Sequence, residues 1–89
     1  MGSFTGKSVI VTGAGRGIGR GIAMAFAAEG ANVVLNYCGN DAAAQQTLSE
    51  IEAANGHAAL FKGNVSDAAE VQAMTEFAVK TFGSLDILV

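Results

Sequence analysis

Thr12-Gly13-Ala14-Gly15-Arg16-Gly17-Ile18-Gly19 stands where the run Ser8-Val9-Ile10-Val11-Thr12 gives way to an alanine-rich stretch of helical period. The apolar residues before it are continuous rather than alternating, which predicts a strand buried on both faces. Where such a strand turns into a helix, backbone N–H groups and the helix dipole favour a pyrophosphate. Glycine suits that turn because a Cβ would block both the tight bend and the close approach of phosphate oxygens. The run satisfies the pattern TGxxxGxG through Thr12, Gly13, Gly17 and Gly19, while no start point in it satisfies GxGxxG. The alternative is a glycine-rich turn with no ligand, which the strand–turn–helix context disfavours. Gly6-Lys7-Ser8 imitates the end of a P-loop, but Met1 stands where that motif requires glycine, and a strand rather than a helix follows.

Outward from the glycines, Ile18, Ile22, Ala25 and Phe26 fall on one stripe of a helix running to about Glu29, with Gly30 as its stop. Gly21 inside that helix costs up to about 1 kcal/mol, and close packing is the expected reason for it. Asn32 to Tyr37 reads as a second strand, followed by the turn Cys38-Gly39-Asn40 and by Asp41 as N-cap of a helix reaching about Asn55. Leu48 and Ile51 mark the inner face of that helix, and Gly56 closes it. His57 to Phe61 is a third strand, and Asp67 caps a third helix with the stripe Val71, Met74, Ala78 and Phe82 and the stop Gly83. Leu85 to Val89 begins a fourth strand.

Short β-branched runs alternating with helical segments are the signature of βαβ units, whose strands must be parallel. Right-handed crossovers then predict an α/β fold, the first part of a doubly wound sheet ordered 3-2-1-4, with the ligand crevice between strands one and four. Residues 1–89 read as one partial domain of this kind. No proline, repeat or Ser-rich linker divides the chain.

The 89 residues are 51% apolar and only 15% charged, which excludes disorder and favours a largely buried structure. Five Lys and Arg against eight Asp and Glu leave a net charge of −3 with no basic run, a poor fit to nucleic acid. One cysteine cannot form an internal disulfide, and one cysteine with one histidine cannot complete a four-ligand zinc site. No metal is therefore expected, and a reducing, cytoplasmic setting fits best. The N-terminus lacks the charged-then-apolar order of a signal peptide, and no apolar stretch approaches 18 residues, so no membrane partner is expected. Gly2 invites myristoylation, but Gly6 occupies the position where Ser or Thr is required. Without a secretory signal, the sequon Asn64-Val65-Ser66 is coincidental.

Through TGxxxGxG, the Asn64-Val65 step after strand three and the run Gly83-Ser84-Leu85-Asp86-Ile87-Leu88-Val89, the chain resembles the N-terminal half of the short-chain dehydrogenase/reductase family over its whole length. In that family the last run leads into an Asn-Asn-Ala-Gly motif. The resemblance implies an NAD(P)-binding Rossmann domain and hydride transfer between nicotinamide and a carbonyl or alcohol, of the 3-oxoacyl-thioester or ketone reductase kind. It also implies a Tyr-xxx-Lys pair with a Ser and an Asn, the tyrosine as acid/base and the lysine lowering its pKa. No catalytic residue is assigned here, because Tyr37 is the only tyrosine and Asp41 stands where the lysine should.

The resemblance places Gly13, Ala14, Gly15, Arg16, Gly17, Ile18 and Gly19 at the pyrophosphate, Asn36, Tyr37 and Cys38 at the adenosine ribose, and Asn64 and Val65 at the adenine. Roughly twenty residues after the glycines, NAD-specific domains carry an acidic residue on the ribose hydroxyls, whereas Asn36-Tyr37-Cys38 offers none to repel a 2′-phosphate. Arg16 can meet that phosphate with a planar donor fork, so NADP(H) is expected over NAD(H). The plain alternative for Arg16 is a solvated loop arginine. Many members have an aspartate at the adenine amino group; Asn64 can still accept that hydrogen bond through its carbonyl. Tyr37 either lines the adenosine pocket or packs, Cys38 is either reactive near the ribose or a small semi-buried thiol, and His57 is a surface or packing residue.

Two readings follow. One is the cofactor-binding half of an oxidoreductase that needs sequence beyond Val89 for catalysis and is inactive without it, meets its small carbonyl or alcohol substrate only in a full-length form, and has homo-oligomeric relatives. The other is a non-catalytic dinucleotide-binding or interaction module of these residues alone. A fourth strand left as an open edge predicts marginal stability, self-association or partial disorder for a chain of this length.

Overall fold

The computed structural model describes residues 3–14 and 17–89. Strands β1 (Ser8–Val11), β2 (Asn32–Tyr37), β3 (His57–Lys62) and β4 (Ile87–Leu88) alternate with helices α1 (Gly17–Ala28), α2 (Asp41–Ala53) and α3 (Ala68–Phe82). The strands form one parallel sheet ordered β3-β2-β1-β4, as the alternation predicts.

The apolar residues of β1, Val9 to Val11, are consecutive because both faces of the strand are covered. Val9 and Val11 join Val33, Leu35, Ala23, Ala31 and Ile51 on the side of α1 and α2. Ile10 joins Val34, Met74 and Ala78 under α3. The two-residue period of the strand thus divides one short apolar run between two cores. Burying side chains of this size contributes about 1.5–3 kcal/mol each.

The inner stripe of α1 differs from the expected one. Ala23 is fully buried and Phe26 and Ala27 pack against the core, whereas Ala25 is exposed and Ile18 is 84% exposed. The helix approaches the sheet through its small residues: a stripe drawn from Gly19 by helical spacing passes through Ala23, Phe26 and Ala27. Gly21, expected to be closely packed, is exposed, and a Cβ there would meet nothing within 4 Å. Gly30 ends the segment with φ +90°, while the Phe4 ring meets Phe26 edge-on at 5.1 Å.

Two helix boundaries shift by one residue. Asn40, rather than Asp41, caps α2, its Oδ1 accepting from the Ala43 N–H at 3.0 Å. Asp41 is the first helical residue, where its carboxylate complements the dipole. At the other end Asn55, not Gly56, takes the left-handed backbone with φ 65°. Gly56 is needed for space, since a Cβ there would lie 2.7 Å from Ile51 Cγ2. α3 follows its expectation: Asp67 Oδ1 accepts from the Ala69 N–H at 2.9 Å, and Gly83 closes the helix with φ +90°.

β4 pairs with β1 over only two residues, Val9 with Ile87 and Ile10 with Leu88. Side chains extend the junction. Asp86 Oδ2 accepts from the Ser8 N–H at 2.9 Å and from Ser84 Oγ at 3.1 Å. Beyond the ladder, the Thr12 N–H and Thr12 Oγ1 both donate to the Val89 carbonyl. The Ser8 N–H holds the Asp86 carboxyl below its usual value, against a smaller opposing effect of desolvation.

Candidate functional site

In a parallel sheet every strand delivers its C-terminal end to the same edge, so the segments after β1, β2, β3 and β4 meet there. Hydrogen bonds tie three of them together. The Ala14 N–H donates to the Asn36 carbonyl at 2.9 Å, joining the glycine turn to the end of β2. The Gly63 N–H donates to the Tyr37 carbonyl at 2.9 Å, joining β3 to the same place.

Each glycine of the turn has its own reason. Gly13 and Gly17 both have φ +62°, and nothing lies within 4 Å of where a Cβ would stand. Gly19 is the reverse: a Cβ there would lie 2.0 Å from the Gly13 carbonyl oxygen and 2.6 Å from its carbon. The first turn of α1 therefore lies directly against the main chain of Gly13, whose own Cβ position, like that of Gly17, is open. Ala14 is buried, and Ile18 projects from the first turn of the helix. Gly15 and Arg16 lie outside the described residues.

At the end of β2, Asn36 is only 3% exposed. Its Nδ2 donates to the Phe61 carbonyl at 3.2 Å and to the Gly63 carbonyl at 3.1 Å, so its amide fastens β2 to β3. Tyr37 is half-buried. Cys38 is exposed, which removes the expectation of a semi-buried thiol.

Asn64 and Val65 follow β3 at the same edge, both exposed. Asn64 Oδ1 accepts from the Ser66 N–H at 2.9 Å and from Ser66 Oγ at 2.6 Å, and the Asn64 N–H donates to Glu70 Oε2 at 2.7 Å. The side chain is thus oriented by its own turn, and both lone pairs of its carbonyl oxygen are engaged internally, so accepting from an adenine amino group would require displacing Ser66. His57, by contrast, begins β3 at the opposite ends of the strands, where it lines a cavity of about 410 Å³ with Thr5, Gly30 and Asn55.

Sequence reasoning did not anticipate the ion pair between Lys62 Nζ, at the end of β3, and Asp41 Oδ1, at the start of α2, 3.2 Å apart. Nor did it anticipate the pairing of Arg20 with Glu50, which links α1 to α2. Among the described residues, no group of three or more His, Cys, Asp or Glu side chains could hold a metal ion. No helix among them is long and apolar enough to cross a membrane.

The arrangement fits a dinucleotide on its own terms. Two glycines leave open space beside a helix N-terminus, where backbone N–H groups lack partners within the helix. No acidic side chain stands on the last residues of β2.

Known proteins share this arrangement. The 3-oxoacyl-[acyl-carrier-protein] reductase FabG of Staphylococcus aureus is 49% identical over 83 residues, covering 93% of this chain and 34% of the reductase. A short chain dehydrogenase from Mycobacterium avium superposes with a TM-score of 0.93 at 47% identity, covering 98% of this chain and 33% of that one. A 7α-hydroxysteroid dehydrogenase solved with NADH and 7-oxo glycochenodeoxycholic acid superposes with a TM-score of 0.89 at 39% identity, covering 96% of this chain and 33% of that one. The chain therefore spans about a third of the length of these relatives. The family profile described as short chain dehydrogenase matches residues 7–89, from just before β1 through β4. With that match and the shared sheet, the chain belongs to the short chain dehydrogenase family.

Proposed function

We propose that these residues form the NADP(H)-binding half of an oxidoreductase that moves a hydride between the nicotinamide and a carbonyl or alcohol, acting in the cytoplasm on a 3-oxoacyl thioester or a related ketone. The observation that carries the reading is the close approach of Gly19 to the Gly13 main chain, which sets the N-terminus of α1 against the glycine turn while the missing Cβ positions of Gly13 and Gly17 stay open. Membership of an oxidoreductase family and the likeness to FabG support the reaction class.

The bound dinucleotide would supply the redox chemistry. The residues of this chain would hold it. The first-turn N–H groups of α1, with Gly13, Ala14, Gly15 and Gly17, take the pyrophosphate. Ile18 contributes an apolar surface beside it. Tyr37 and Cys38 border the ribose, Asn36 acts from behind by fixing β2 to β3, and Asn64 and Val65 border the adenine. Arg16 is assigned the 2′-phosphate on the strength of its place in the glycine turn and the absence of a carboxylate at Asn36-Tyr37-Cys38. The acid–base groups of the reaction are not among these residues: Tyr37 is followed four positions on by Asp41, not by the lysine the chemistry needs. The 89 residues alone are expected to bind without catalysing, and the homo-oligomer expected of full-length relatives belongs to the same proposal.

Calorimetric titration with NADPH and NADH tests the reading. NADPH should bind more tightly, and Arg16→Ala should remove that advantage while leaving NADH nearly unchanged. Equal losses for both cofactors would take Arg16 off the 2′-phosphate, and no binding of either would overturn the cofactor reading.

A further inference from the structure

The end of β2 carries no charge of its own, yet a charged pair stands beside it. Lys62, the last residue of β3, is paired in register with Tyr37, the last residue of β2. Its ammonium reaches Asp41, the first residue of α2, at 3.2 Å. The pair therefore bridges the two segments that flank the β2 terminus. The Gly63 N–H on the Tyr37 carbonyl holds the backbone of that corner in place.

Folding gains little from this pair beyond the modest interaction of Asp41 with the dipole of α2. Its side chains are 56% and 67% exposed, and an exposed pair of single charges contributes little to stability. α2 already has a cap in Asn40, so Asp41 is not needed for that purpose. β3 is the outer strand of the described sheet, and Lys62 is exposed at its very end. What the pair does accomplish is electrostatic. Asp41 alone would set a negative charge beside the β2 terminus, and Lys62 cancels it.

The role of Lys62 rests on the NADP(H) reading above. We propose that Lys62 is a second cation for the 2′-phosphate of the cofactor, and that Asp41 holds it until the phosphate displaces the carboxylate. A phosphate monoester near neutral pH carries more negative charge than a carboxylate and offers three acceptor oxygens, so it competes successfully for one ammonium. Lysine suits an exchange of partners, because its point charge rides on a flexible four-carbon stem and needs no fixed fork geometry. A cofactor without the phosphate leaves the pair as it is. The same two residues thus reward the phosphorylated dinucleotide without penalising the other.

The test is calorimetric titration of the parent protein, Lys62→Met, Lys62→Arg and Asp41→Asn with NADPH and NADH, and with 2′,5′-ADP and ADP as fragments. Lys62→Met should weaken NADPH and 2′,5′-ADP by roughly tenfold, about 1.4 kcal/mol, and leave NADH and ADP within about twofold. Lys62→Arg should restore most of the loss. Asp41→Asn should tighten NADPH a few-fold and leave NADH alone. All three variants should melt close to the parent, since the pair is exposed. If the parent prefers NADPH and Lys62→Met keeps the full preference, or weakens both cofactors alike, this assignment is wrong while the cofactor reading stands. If Asp41→Asn weakens NADPH, its role as a competing partner is refuted. A parent that binds NADH as tightly as NADPH overturns the cofactor preference itself.

Discussion

Replacing Gly19 with alanine adds one methyl group at the point where α1 meets the glycine turn. That methyl would stand 2.0 Å from the Gly13 carbonyl oxygen and 3.2 Å from the Ala14 nitrogen. Both neighbours are main chain, so no rotamer change relieves the clash, and the contact must open by about 1 Å or more to reach van der Waals distance. Overpacking of this kind costs about 1–3 kcal/mol, and rigid backbone on both sides favours the upper end. Alanine returns about 1 kcal/mol through its better helix propensity, which leaves a net loss of about 2 kcal/mol. Gly21 provides the internal control. It lies two residues further along the same helix with nothing within 4 Å of its missing Cβ, so Gly21→Ala should gain up to about 1 kcal/mol. The two variants should differ by about 3 kcal/mol, or roughly 12–24 °C in melting temperature for a domain of this size, read by circular dichroism. A shift of about 1 Å also carries first-turn N–H groups from hydrogen-bonding distance to beyond it, so Gly19→Ala should lose at least about tenfold in NADPH affinity while Gly21→Ala loses none. If Gly19→Ala melts at or above the parent, or keeps its affinity, the close approach of α1 to the turn is not what shapes the site.

Three further outcomes are expected. The Asp86 carboxyl is held below its usual value, so the unfolded chain binds the proton more readily; the contribution of Asp86 is complete above the ordinary value near about 4 and disappears as pH falls through the lower folded value. Urea denaturation between about pH 3 and 5 should therefore give a shallower rise of stability with pH in Asp86→Asn, and an unchanged slope would remove Asp86 from the acid response. Met74, 1% exposed on the inner face of α3 and clustered with Ile10 and Val34, should cost about 2–5 kcal/mol on replacement by alanine; a shift below about 1 kcal/mol in chemical denaturation would mean that α3 collapses onto the sheet without it. Asn36→Leu strands the Phe61 and Gly63 carbonyls at about 1–3 kcal/mol each and should speed hydrogen exchange at the Gly63 amide; lost cofactor affinity with unchanged exchange and stability would instead indicate direct contact with the ligand.

Much of the fold is legible in the sequence because its determinants are local. The uninterrupted apolar run of β1, the cap at Asp67 and the left-handed stop at Gly83 each depend on a few adjacent residues, and handedness then leaves little freedom in strand order. The glycine pattern likewise predicts the strand-to-helix turn between β1 and α1 on which the proposed site is built. What escapes the sequence depends on distances between segments. Hydropathy selects Ile18 for the inner face of α1, but the small residues Gly19 and Ala23 let the helix come so close that Ile18 is turned outward. The same cause exchanges the expected roles of Gly19 and Gly21. Asn36 reads as a polar residue at a ligand edge until the carbonyls of β3 are seen to occupy its amide. Lys62 and Asp41 belong to different elements and match no motif, so only the register of β2 with β3 reveals their meeting.

The junction of β1 with β4 also sets a timetable. β1 finds β2 across a single helix, but the residue whose carboxylate fastens its other edge, Asp86, lies 78 positions after Ser8. At roughly 5–20 residues per second, a ribosome needs about 4–16 seconds to cover that distance, far longer than the microseconds to milliseconds in which helices and local contacts form. Throughout that interval a strand that ends fully buried has one side open to any other extended chain. Its brevity, four residues from Ser8 to Val11, is then a safeguard during synthesis, because a short edge gives a passing strand few bonds with which to stay.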